Sequence, residues 1–184
     1  TRHSGKRVLW VDTGSTTTDI IRLDHGRVDA TGLTDTDRLA SGELVYVGAA
    51  RTPLAALGPT VSWRGRQVGV MAEWFATMDD AALLLGRTDE RPADTVTPDG
   101  PLFTRDASAA RLLRMVGCDT DSATLDDATD LAQAFVDDAV DRIAAGVRQV
   151  AGRIGIDRVI VSGSGGGLAV VAAAKAAPGP PCDP

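Results

Sequence analysis

Eight polar residues, Asp12-Thr13-Gly14-Ser15-Thr16-Thr17-Thr18-Asp19, stand between two short apolar runs, Arg7-Val8-Leu9-Trp10-Val11 and Ile20-Ile21-Arg22-Leu23. Runs this short, rich in β-branched residues and joined across a glycine-containing turn, predict two antiparallel strands. Asp24-His25-Gly26 supplies further turn chemistry, and Arg27 to Ala30 reads as a third strand. The chain therefore opens as an antiparallel meander with one unusually polar turn.

That turn is the first candidate site. A phosphate needs several donors converging on it with no bulky side chain in the way. Gly14 lets the backbone come close, and Ser15, Thr16, Thr17 and Thr18 offer hydroxyls as well as amide groups. Asp12, at the end of a buried strand, cannot lie against a phosphate without a bridging cation or water, so it reads as an outer ligand of Mg²⁺. Asp19 could do the same, orient a nucleophile, or only hold the turn together. The bland alternative is a hairpin whose hydroxyls satisfy their own backbone. It accounts poorly for two aspartates flanking four consecutive hydroxyl residues.

The second candidate lies near the other end. Arg158-Val159-Ile160-Val161-Ser162 reads as a buried strand, followed by Gly163-Ser164-Gly165-Gly166-Gly167 and a small-residue helix through Ala177. A glycine loop opening a helix brings a ligand against free amide groups. The dinucleotide fingerprint is not met, because Leu168 stands where its last glycine would be and no ribose-binding acid follows. Tight strand–helix packing explains the glycines equally well.

Between these ends the pattern predicts a helix over Thr34 to Glu43, a strand over Leu44 to Val47 and a hairpin around Arg64-Gly65-Arg66. Further helices are expected over Phe75 to Leu85, from a Thr104 cap to about Met115, and over Asp126 to Ile154. In the last of these Leu131, Phe135, Ala139, Ile143, Val147, Val150 and Ile154 share one face, which is core spacing. Arg87 to Pro101 reads as a loop, and the Pro-rich tail 178–184 cannot continue a helix. Arg51 could reach an anion or remain a surface residue. Glu73 could meet a substrate amine or metal, or favour a helix start with Asp79.

Composition excludes several classes. Apolar residues make up 43% of the 184, enough for a core. A net charge of −6 without a basic run argues against nucleic acid, and any anion must be bound locally. No membrane span or signal-peptide pattern is visible. Cys118 and Cys182 read as reduced thiols of a cytoplasmic protein, and His3 and His25 alone make a His-rich zinc site untenable.

Val11 to Ile20 resembles the second phosphate motif of the hydantoinase/oxoprolinase superfamily. More narrowly, the chain resembles tetrahydromethanopterin-linked one-carbon transfer pathway proteins and the methanofuran-biosynthesis synthase family. Supporting segments are Leu39 to Tyr46, Arg51-Thr52-Pro53, Arg64-Gly65-Arg66, Ala72 to Met78, Leu84-Leu85-Gly86, Asp99-Gly100-Pro101 and Arg111 to Met115. The resemblance implies an α/β, ribonuclease-H-like domain of the actin and sugar-kinase type. Residues 1–177 would be its second half, with a small inserted hairpin and helix region near 44–117. It further implies a transferase acting on a phosphorylated or diphosphorylated small molecule, with Mg²⁺. The methanofuran synthase couples an aminomethylfuran diphosphate to glutamyl-tyramine with release of pyrophosphate. Two alternatives stand beside it: an ATP-dependent hydrolase subunit of the hydantoinase/oxoprolinase kind, in which Gly163 to Gly167 would face adenosine, or an inactive binding fragment. Because this chain starts at the second motif, it is expected to need another half, from a second chain or a second copy.

Overall fold

The computed structural model describes residues 6–93, 97–100, 102–152 and 155–176. His3, Pro101, Ile154, Ala177, Cys182 and the Pro-rich tail 178–184, all named from the sequence, lie outside them. The architecture is mixed α/β, and the chain divides into two compact units. One holds the residues up to Ala49 and from Val140 onward; the other is the continuous stretch Ala50–Ala139.

In the first unit the meander forms as the sequence predicts. Strand β1 (Arg7–Thr13) pairs antiparallel with β2 (Thr18–Asp24), Asp12 opposite Asp19 and Thr13 opposite Thr18. The third strand, β3 (Arg27–Val28), stops two residues short of Ala30. His25 and Gly26 both take positive φ, the pairing a two-residue hairpin of this twist requires. Helix α1 (Asp35–Ser41) is capped by Thr34, and the two-residue β4 (Leu44–Val45) adds to β2. Strand β7 (Arg158–Ser162) runs parallel to β1 and ends the order β3-β2-β1-β7. Helix α5 (Gly166–Ala176) packs on β1 and β7 through Leu168, Ala169, Ala172 and Ala173.

Helix α4 (Leu125–Ala151) carries the long apolar face, with Leu131, Phe135, Ala139, Ile143, Val147 and Val150 all buried. Its later part serves the first unit, where Gly146 lies against Val45 and Ile20; a Cβ there would come within 2.6 Å of Val45 Cγ2. Its earlier part serves the second unit.

That unit has its own core of Leu54, Val61, Trp63, Met78, Phe103, Leu112 and Met115 with the first turns of α4. The hairpin β5 (Thr60–Trp63) and β6 (Arg66–Gly69) turns on Arg64-Gly65. Helix α2 (Met78–Leu84) starts three residues later than the Phe75 expected, because Thr77 and Asp80 form a capping box and fix the start there. Helix α3 (Arg105–Arg114) is capped by Thr104. Between α2 and α3, Arg111 is fully buried; its Nη2 donates to Asp80 Oδ1 at 2.7 Å and its Nη1 to Asp99 Oδ1 at 3.2 Å.

Candidate functional site

The polar turn between β1 and β2 is small and tightly held. Gly14 N–H donates to Thr17 O at 2.9 Å, and Ala49 N–H donates to Gly14 O at 2.9 Å. Gly48 presses directly on the turn: a Cβ there would overlap the Ser15 and Thr16 backbone. Thr18 is buried, and its hydroxyl donates to Val47 O at 2.8 Å while accepting from Thr13 Oγ1 at 3.1 Å. The Thr18 hydroxyl therefore ties the turn to the 47–49 segment and faces the protein interior. Ser15, Thr16 and Thr17 are half-buried, and their three consecutive amide groups donate to no acceptor among the described residues. Successive open amides can receive an anion where they converge.

Asp12 closes one side of this turn. Its register partner on β7 is Ser162, and the Ser162 hydroxyl donates to Asp12 Oδ1. Trp10 Nε1–H in turn donates to Ser162 Oγ at 2.8 Å. This chain commits one carboxylate oxygen and leaves Oδ2 available. Asp19 stands differently, because its carboxylate is held in an ion pair by Arg38 of α1.

The glycine loop comes up beside Asp12 because β7 is parallel to β1 and ends at the same level. Gly163 has φ +90°, and a Cβ on it would collide with the Thr13 carbonyl and lie 3.0 Å from Asp12 Oδ1. Gly165 N–H donates to Thr13 O at 2.8 Å, and a Cβ on Gly165 would meet Thr13 and Ala49. Among the described residues the Ser164 and Gly167 amides meet no acceptor, and a Cβ on Gly166 or Gly167 would meet open space. The structure thus brings Asp12, the turn and Gly163 to Gly166 together in one unit. Arg51 and Glu73 belong to the other unit, both exposed.

Among the described residues no three His, Cys, Asp or Glu side chains converge to hold a metal. A single carboxylate beside an anion cradle suits Mg²⁺, which commonly takes one or two protein carboxylates and completes its shell with substrate phosphates and water. The donor set at Asp12 therefore fits that ion. Sequence reasoning passed over Ser162, Gly48, Trp10 and Arg38. A hydroxyl ending a strand immediately before a glycine loop was the one local signal for Ser162; the other three act through contacts distant in the chain.

The hydantoinase/oxoprolinase family model matches residues 1–178. A (4-{4-[2-(gamma-L-glutamylamino)ethyl]phenoxymethyl}furan-2-yl)methanamine synthase from Methanococcus vannielii is 32% identical over 160 residues, covering 87% of this chain and 72% of that protein. The synthase of the same name from Methanocaldococcus jannaschii is 34% identical over 157 residues, covering 85% of this chain; the alignment spans 47% of that protein, less than half its length. With nearly its whole length matched by the family model, the chain belongs to the hydantoinase/oxoprolinase family.

Proposed function

We propose that this chain forms the diphosphate-binding part of a transferase in methanofuran-linked cofactor biosynthesis, built on an actin-like, sugar-kinase-like domain. The observation that carries the reading is the row of open amides at Ser15, Thr16 and Thr17 beside a carboxylate already oriented by Ser162. The antiparallel meander, the parallel β7 reached through α4, and the glycine loop opening α5 support the domain type.

The product in the relatives' name is an aryl ether, a phenol oxygen bonded to the methylene carbon of a furan. On this reading the furanylmethyl carbon–oxygen bond of a diphosphate breaks as the phenol oxygen bonds to that carbon. The electron pair leaves with the diphosphate, and the phenol loses its proton. Negative charge grows on the leaving group, where the amides of Ser15 to Thr17 and the hydroxyls of Ser15, Thr16 and Thr17 stabilise it. Asp12 would hold Mg²⁺, and the ion would offset part of the diphosphate's charge.

The open Ser164 and Gly167 amides at the start of α5 favour a second reading, in which the same turn holds the phosphates of ATP. Calorimetry with Mg²⁺ separates the two. Pyrophosphate and furfuryl diphosphate binding without ATP binding supports the transferase, tight ATP binding supports the hydrolase, and silence toward all three leaves a non-catalytic domain. Asp12→Asn and Thr17→Ala are expected to weaken whichever anion binds; if neither changes binding, the turn is not the site.

A further inference from the structure

The second unit holds a cavity of about 380 Å³ whose lining shares no residue with the Asp12 turn. That volume is in the range of small-molecule sites. Two aromatic side chains shape it. Trp74 is 56% exposed, a large apolar face turned to solvent, and Phe103 is buried with the Arg91 guanidinium stacked 4.0 Å from its ring centre.

Charge decides what the cavity can hold. Asp80 is on the lining, but both of its oxygens are taken: Oδ1 accepts from Ser108 Oγ at 2.8 Å and from Arg111 Nε at 2.9 Å, and Oδ2 accepts from Thr77 N–H at 2.9 Å. The wholly buried Arg111 neutralises it. Asp79 is paired with Arg91. Arg51 remains, exposed, and in no ion pair among the described residues. Among the described residues the lining therefore carries one unspent positive charge and two aromatic walls. An amine would find both carboxylates already committed. A diphosphate would meet one free cation among apolar surfaces.

We propose that this cavity binds a small aromatic carboxylate, its ring against Trp74 and its carboxylate on the Arg51 guanidinium. The planar fork of arginine pairs with a carboxylate through two parallel hydrogen bonds, and a ring stacked on tryptophan adds apolar burial. The site stands whether or not the Asp12 turn binds diphosphate.

The test uses the full chain and calorimetry with 4-hydroxyphenylacetate, with tyramine as its cationic counterpart and 4-methylphenol as its neutral one. Saturable binding of the carboxylate is expected, tighter than either comparison compound. Arg51→Gln and Trp74→Ala, both at exposed positions, should each weaken it about tenfold with thermal stability unchanged. Asp12→Asn should leave it unaltered. The inference is overturned if the carboxylate does not bind, if tyramine binds better, or if Arg51→Gln has no effect. Loss of binding on Asp12→Asn would place the ligand at the turn instead and would equally overturn it.

Discussion

At the scale of single residues, the turn is defined as much by missing side chains as by those present. Gly163 combines φ +90° with a Thr13 carbonyl where its Cβ would be. Gly163→Ala is expected to cost about 2–3 kcal/mol, read by urea denaturation. Ser162 acts on Asp12 without touching a ligand. Ser162→Ala frees the carboxylate to rotate, and pyrophosphate affinity in Mg²⁺ should fall about fivefold to tenfold while the melting temperature moves little. An unchanged affinity would show that Asp12 needs no orienting group. Such residues were legible in unequal degrees. Asp12, Gly14 and the hydroxyl run announce themselves because donors to a phosphate must be near one another in a tight turn. Gly48 carries no such mark, since it presses on the Ser15 and Thr16 backbone, and Ser162 has only its place before the glycine loop, its partner Asp12 lying 150 residues away.

At the scale of elements, two kinds of tie hold helices and hairpins in place. Arg111 and Asp80 join α3 to α2 in full burial. Arg111→Met would leave the Asp80 carboxylate buried without its cation, at a cost of about 3–5 kcal/mol, measurable by chemical denaturation. Carboxylates on the surface and in the 31–43 region make the other tie. Burial alone would push the Glu43 carboxyl up, but the amides of Gly32 and Thr31 and the Ser41 hydroxyl outweigh it and hold the group below its ordinary range. Asp127 is held well below the usual carboxylate range by the Arg64 side chain and the Thr124 amide. Both groups are depressed in the folded state, so their stabilisation is complete above the ordinary carboxylate pKa and fades as pH falls through the lower folded value. Stability should therefore decline below about pH 4.3, and Glu43→Gln should flatten that decline in a denaturation series against pH. The elements themselves were readable wherever a cap or a period announced them: Thr34, Thr104 and the α4 face. Helix α2 was expected from Phe75, whereas the Thr77–Asp80 capping box sets its start at Met78. The Arg111–Asp80 pair spans 31 residues and has no sequence signature.

At the scale of the whole molecule, Ala50–Ala139 is continuous in the chain and has a core of its own. Expressed alone, it is expected to melt cooperatively with helical circular dichroism; a non-cooperative profile would show that it depends on the rest of the chain. The first unit behaves differently in one respect. Its sheet ends on β7, with no further strand beyond it among the described residues. Val159, Ile160 and Val161 there are all half-exposed. An edge strand carrying apolar side chains is a template for another strand. Its consequence belongs to handling rather than to binding: the working concentration of this chain has a ceiling set by one strand, above which light scattering should rise with time. A lysine in place of Ile160 should lift that ceiling and slow the growth of scattering in a concentration series.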